Sequence, residues 1–518
     1  MSTEPLILAI DLGTTTCKTV VVDSQLRLVV KDAVEYPVNT PCAGWAEQDP
    51  QTWWATVRES LYKVTTQLKA MGRSVNDIRA IGLSGQMHGL VMLDSANEPV
   101  RPAILWNDQR SAPQCAQIYQ QVGGVEGLLN YTNNPMLSGY TGGKILWVRE
   151  NEPEHYRRMH RFCLPKDYIR YRLTGRVATD VSDASGTGLF DVRDRKWSSR
   201  LLELLDLSED WFPHPYESCE VVGQIGEAVA VETGLAVGTL VIAGGGDAVM
   251  QTIGGGAIDE NVVLLVIGTG GNVSVSLPKP IDNPGARLQV FCHVLPEKWV
   301  GMGVTLSAGS SLRWFRDTLG GLESAMAKEL RASAYELLSQ EAATSPAGSN
   351  GLIFLPYLQG ERAPHADANA RGVFIGLGLH TAKADIIRSV IEGVSFSLRD
   401  VLNLILQAGI SPERVHASGG GSSSAVWRQI LADVFACPVT TLNYSEDAGA
   451  IGAAIVAGVE VGMWTSVNEV ACLIQTRTVD KPQQAVSTVY QSYFSVYKDL
   501  YPSLKSSFDK LANLQTLN

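Results

Sequence analysis

Apolar residues along this chain alternate between two periods. The runs LILAI (6–10), CKTVVVD (17–23) and LRLVVKDAVEY (26–36) are separated only by tight-turn residues and read as three consecutive strands. From residue 50 the period changes. Trp53, Val57, Leu61, Val64 and Leu68 recur at helical spacing, with Asp49 placed to cap the helix and Pro50 suited to its first turn. IRAIGLS (78–84) and LVMLD (90–94) are further strands flanking the loop GQMHG. AGAIGAAIVAGVEVGMW (448–464) is a long small-apolar stretch, but it carries Glu460 and follows Glu446 and Asp447, so it reads as a buried helix and not a membrane span. EAATSPAGSNG (341–351) reads as a flexible surface loop, and residues 486–511 as a terminal helix broken at Pro502. Strand and helix signals interleave throughout, which predicts α/β architecture.

At 518 residues the chain exceeds one ordinary core, so two or more domains are expected. LILAIDLGTTTCKTVVVD (6–23) and VVLLVIGTGGNVSVSLP (262–278) share the plan strand, Gly-Thr turn, strand. This echo suggests two similar halves, 1–255 and 256–518. A net charge of −11 argues against a nucleic-acid or anionic-membrane partner. Eight scattered cysteines without a C-x-x-C pair predict reduced thiols, and the start MSTEPLILAIDLG is not a signal peptide; a cytoplasmic protein is expected.

Three turns carry candidate chemistry. DLGTTTCK (11–18) joins two strands with a carboxylate, a glycine, three hydroxyls and a lysine. With a nucleoside triphosphate present, Gly13 permits close approach, Thr14 and Thr15 donate to phosphate oxygens, Lys18 adds positive charge, and Asp11 holds Mg²⁺ through water. IGTGGN (267–272) repeats the chemistry at Gly268 and Thr269. ASGGGSSSAVWRQILADVF (417–435) runs a glycine cluster into an amphipathic helix, a start that favours an anion or a flat ring. An ordinary polar hairpin or capped helix entry explains each turn taken singly. A fourth stretch, VIAGGGDAVMQTIGGG (241–256), sets Asp247 among six glycines, which are expected to leave room for a substrate beside a base.

G-x-x-x-x-G-K-[ST], H-E-x-x-H and G-x-S-x-G are all absent. Two stretches instead match signature patterns: GYTGGKILWVREN (139–151), with the K-x-x-W spacing at Lys144 and Trp147, and GVFIGLGLHTAKADIIRSVIE (372–392). With GGGD (244–247), the phosphate turns and EDAGAIGAAIVAG (446–458), the chain resembles the FGGY carbohydrate kinases over nearly its whole length. SGQMHGLVMLD (84–94), RPAILWNDQR (101–110), LPKDYIRYRLTG (164–175) and FLPYLQGERAPH (354–365) are most similar to the family's xylulokinase branch.

The resemblance implies two actin-like (ribonuclease-H-like) ATPase domains around a central cleft, the first on the sugar side and the second on the nucleotide side. It implies ATP-dependent phosphorylation of D-xylulose with Mg²⁺. Asp247 would be the proton acceptor, Met87 and His88 would line the sugar site, and Asn107 would lie beside them. Nucleotide contacts would fall on Gly13, Thr14, Thr15, Lys18, Gly268, Thr269, Gly309, Gly420, Gly421 and Ser424. His88 is expected to donate a hydrogen bond to a sugar hydroxyl. A homodimer is the form common among such relatives, although no interface is legible. Ala248 follows Asp247 where the branch often carries an Asn that touches sugar, so another ketose or polyol, such as ribulose or gluconate, stays open. A non-catalytic actin-like ATPase is the remaining alternative.

Overall fold

The structure, a computed structural model, describes residues 4–407 and 409–515. It divides into two compact α/β units. One runs through Ile258 and includes Ser276–Gly301 and Asp447–Ile474; the other comprises Asp259–Val275, Met302–Glu446 and the chain from Gln475 onward. The two halves expected from the sequence, divided at 255/256, therefore omit two excursions back into the first unit.

In the first unit the strands Leu6–Leu12, Thr16–Asp23 and Leu28–Glu35 form an antiparallel meander. Ile78–Gly85 lies parallel to Leu6–Leu12 on its other side. The sheet order runs Val221–Gln224, Leu240–Ile242, Ile78–Gly85, Leu6–Leu12, Thr16–Asp23, Leu28–Glu35, with a seventh short strand, Gly245–Gly246, also paired to Ile78–Gly85. Helix Pro50–Ala70 covers one face, capped as expected by Asp49, which accepts from the Gln51 N–H at 2.9 Å. Its stripe of Trp53, Val57, Leu61, Val64 and Leu68 is wholly buried.

Helix Ala448–Glu460 packs against the central strands, which is why this late segment belongs to the first unit. A Cβ on Gly82 would stand 2.1 Å from the Ala453 carbonyl oxygen, and one on Gly254 2.0 Å from that of Ala448. Only glycine admits a helix backbone this close. Segment 276–301 is held by Asn134, whose side chain bonds both the N–H and the carbonyl of Val290.

The second unit repeats the plan. Val262–Ile267 pairs antiparallel with Gly271–Leu277 and parallel with Arg414–Ser418, which pairs parallel with Val439–Leu442. The strand, Gly-Thr turn, strand echo thus becomes the same sheet topology twice. The stretch 341–351 is not loose, because its polar groups pair with a buried helix. Ser345 donates to Asp385 at 2.6 Å, and the Gly348 N–H and Ser349 hydroxyl donate to Glu392 at 3.0 and 2.8 Å. The terminal helix is likewise unbroken: Gln484–Gln515 runs through Pro502. Tyr490, Phe494, Tyr497 and Phe508 are buried along it, and burying four aromatic side chains at about 1.5–3 kcal/mol each outweighs the roughly 3 kcal/mol an internal proline costs. Among the described residues no helix is long and apolar enough to cross a membrane.

Candidate active site

Asp247 opens helix Asp247–Gly254, directly after Gly245–Gly246, which pair with the end of strand Ile78–Gly85. Its Oδ1 accepts from the Ala248 N–H at 2.7 Å. Burial, reinforced by the charge of Asp11, pushes its pKa up to about 7. The neighbouring glycines have a different reason from the one expected. Gly244 has φ +76° and a Cβ there would stand 2.5 Å from the Leu83 carbonyl oxygen; one on Gly245 would stand 2.9 Å from Ser182 Oγ, and one on Gly246 2.6 Å from Met87 Cγ and Sδ. They bring protein against protein, holding the turn before Asp247 on the strand and on Met87, and are not simply room for a substrate.

Met87 and His88 leave the same strand. Met87 is 3% exposed and lies between Gly246 and Gly186. His88 is held on three sides. Its backbone is left-handed at φ +67°, its ring stacks on Tyr140 with centroids 4.5 Å apart, and its Nδ1 lies 2.6 Å from the Gly186 carbonyl oxygen. A carbonyl only accepts, so Nδ1 carries the proton. Nε2 is the ring nitrogen not engaged by that carbonyl.

Asn107 is exposed, and its carbonyl accepts from its neighbour Gln109 at 3.5 Å. The adjacent Trp106 is the residue tied to the phosphate turn, donating through Nε1 to Thr14 Oγ1 at 2.9 Å. Within that turn the Gly13 N–H donates to the Thr16 carbonyl at 3.0 Å, Gln48 donates to the Thr14 carbonyl at 2.7 Å, and Thr15 is exposed.

Asp11 stands opposite Lys18 in the hairpin and beside Ser84 in the parallel pair. The Ser84 hydroxyl donates to its Oδ1 at 2.7 Å. Burial raises its pKa, opposed by the Ser84 bond and by Lys18. Lys18 reaches Asp447 at 3.3 Å, and Lys31 takes the same carboxylate at 2.6 Å. A Cβ on Gly449 would stand 2.8 Å from Asp11 Oδ2, so glycine leaves room beside that oxygen. A carboxylate with hydroxyl company suits Mg²⁺, a hard ion taking oxygen ligands.

A second acidic group, Asp167, Asp180 and Asp183, is also close enough to hold a metal. Lys166 already stands there, at 2.5, 2.7 and 3.4 Å from the three carboxylates, all fully buried. Its ammonium supplies the cation.

In the second unit one cavity of about 890 Å³ is lined by Gly268, Thr269, Gly309, Gly420, Gly421 and Ser424, the six nucleotide contacts expected there. Gly309 is obligatory, since its N–H donates to the Gly268 carbonyl at 2.9 Å and a Cβ would stand 2.4 Å from that oxygen. The Ala308 and Ser310 N–H groups both donate to the Thr269 carbonyl at 3.0 Å. Ser424 Oγ caps helix Ala425–Phe435 by accepting from the Trp427 N–H at 3.3 Å, which leaves its own O–H to donate. Tyr335, Gln340 and Trp427 are among the other lining residues, and no local signal marks the first two in the sequence. The size suits a nucleotide-sized ligand.

Two family models match: FGGY family of carbohydrate kinases, N-terminal domain, over residues 6–254, and the C-terminal domain over residues 263–461. The chain belongs to the FGGY family of carbohydrate kinases. A xylulose kinase from Bacillus subtilis (strain 168) is 37% identical over 502 residues, 96% of this chain and 97% of that protein. Among solved structures, a ligand-bound xylulose kinase from Lactobacillus acidophilus superposes with a TM-score of 0.90 at 29% identity, covering 98% of this chain and 100% of that one. A gluconate kinase from the same organism gives 0.91 at 29% identity with the same coverage. This FGGY kinase is thus an enzyme acting on a carbohydrate, with the two-domain actin-like fold of its relatives.

Proposed function

We propose that this FGGY kinase transfers the γ-phosphoryl group of ATP to the terminal hydroxyl of D-xylulose, giving D-xylulose 5-phosphate and ADP, with Asp247 as general base. One observation carries the reading: a carboxylate whose pKa burial pushes up to about 7, set directly after Gly246, which packs on Met87, in the same unit as the Asp11 turn. An unperturbed aspartate is too weak a base to compete well for a hydroxyl proton at pH 7. Asp247 orients the hydroxyl and takes its proton as the O–P bond forms and the bond from the γ-phosphorus to ADP breaks. His88 Nε2 forms a hydrogen bond with a second sugar hydroxyl, and Met87 supplies an apolar wall. Thr14, Thr15 and Lys18 offset phosphate charge, and the 890 Å³ cavity lined by Gly420, Gly421 and Ser424 receives the nucleotide. Asp11 would hold Mg²⁺, which supplies charge neutralisation at the phosphates when bound.

Relatives named xylulose kinase favour D-xylulose, whereas the gluconate kinase likeness and Ala248 favour a second reading, another ketose or polyol such as ribulose or gluconate. An ADP-release assay over D-xylulose, D-ribulose, D-gluconate and no sugar tests both. Turnover strongest with D-xylulose supports the proposal, turnover with gluconate or ribulose reassigns the substrate, and turnover indifferent to all three removes the kinase role.

A further inference from the structure

Lys144 is fully buried in helix Thr141–Asn151, and no step of the chemistry above uses it. Its ammonium donates to two backbone carbonyls, His88 at 2.8 Å and Gly139 at 2.6 Å. The Thr141 hydroxyl donates to the same His88 carbonyl at 3.0 Å. Helix spacing explains the pair, since residues three apart lie on one face.

The carbonyl they share belongs to an unusual residue. A non-glycine side chain at φ +67° costs about 1–2 kcal/mol, so its surroundings have to hold it there. The ring has its own supports in the Gly186 carbonyl and Tyr140. The main chain has Lys144 and Thr141. Burying an ammonium to bind carbonyls is costly, and burial pushes this one down to about 7, with nearby Asp108 opposing the shift. Trp147, the other half of K-x-x-W, takes a different task on the same helix: it stacks edge-on with Trp45 and receives the Arg110 guanidinium 4.9 Å from its ring centroid. The motif thus splits into a residue for the loop after Gly85 and one for the segment ending at Arg110.

We propose that Lys144, with Thr141, is a positioning residue of the sugar site, fixing the left-handed turn at His88 and thereby where imidazole Nε2 meets the sugar. The proposal rests on His88 being a sugar ligand, as read above.

The test measures KM for the sugar, KM for ATP and kcat in the full-length protein carrying Lys144→Met, Thr141→Val, Thr141→Ser or His88→Ala. Lys144→Met keeps the volume and removes the donors; it is expected to raise sugar KM about tenfold or more, equivalent to roughly 1.4 kcal/mol, with ATP KM and kcat within about threefold of wild type. Thr141→Val is expected to raise sugar KM about threefold, and Thr141→Ser, which keeps the hydroxyl, to restore it. A merely structural role would move ATP KM and kcat together with sugar KM. Unchanged sugar KM in Lys144→Met, with His88→Ala raised, overturns the lysine's role alone. Unchanged sugar KM in His88→Ala overturns both it and the reading beneath it. Should Lys144→Met fail to fold, Thr141→Val decides alone, and an unchanged sugar KM there overturns the proposal.

Discussion

The Gly246 N–H donates to the Ser182 hydroxyl oxygen at 3.1 Å, one residue before the carboxylate of Asp247. Ser182 in turn donates to Asp180 at 2.5 Å, and Asp180 is paired with Lys166 at 2.7 Å. The glycine turn therefore stands on a buried ionic cluster completed by Asp167, Asp183 and Arg170. Two cations face three carboxylates, and burial holds the Asp183 pKa well above its ordinary value.

Removing the central cation leaves those carboxylates buried without it. Lys166→Met is expected to cost about 3–5 kcal/mol of stability, the scale of a broken buried ion pair. Urea denaturation measures it, and a loss below about 1 kcal/mol would show that the cluster is not held by this lysine.

Gly309→Ala forces a Cβ against the Gly268 carbonyl oxygen, at 2.4 Å in the present geometry. One side of the nucleotide cavity has to shift. ADP affinity, measured by calorimetry, is expected to fall about tenfold, roughly 1.4 kcal/mol, with sugar binding unaffected. Unchanged ADP affinity would place the nucleotide elsewhere.

The raised pKa of Asp247 gives the activity a pH signature. Below about 7 the free enzyme holds a proton on the group that has to accept one, so kcat/KM for the sugar is expected to fall as pH drops through that region and to level off above it. A profile flat from pH 5.5 to 8 would contradict this.

The same shift has the opposite sign for stability. Between the unfolded-state pKa of about 4 and the folded value of about 7, the folded protein binds the extra proton, so this group's contribution falls as pH rises through that window. Asp247→Asn, which cannot ionise, is expected to melt higher than wild type at pH 8 and equally near pH 4. A variant no more stable than wild type at pH 8 would argue against the raised pKa.

Local chemistry was legible in the sequence and long-range packing was not. Asp49 and Pro50 declare a helix start within a few residues, and the Gly-Thr turns declare strand pairs. The helix Ala448–Glu460 was legible as an element, but its unit depends on Gly82 and Gly254, far away along the chain. Pro502 obeyed its local rule in the sequence and lost to a buried aromatic face in the fold. Lys144 stood in a recognisable motif, yet its partner is a carbonyl 56 residues earlier, which no spacing reveals. His88 was legible as a candidate ligand, while the anchor of its ring is the Gly186 carbonyl, 98 residues on.

Single-turnover phosphorylation of D-xylulose by Asp247→Ala, followed with nucleotide binding to the same protein, bears most directly on the chemistry. The expected result is a rate lowered about 10²-fold or more, the scale of a lost general base, with ADP affinity within about twofold of wild type. A near-normal rate in that variant would contradict the assignment of Asp247 as the group that takes the sugar's proton.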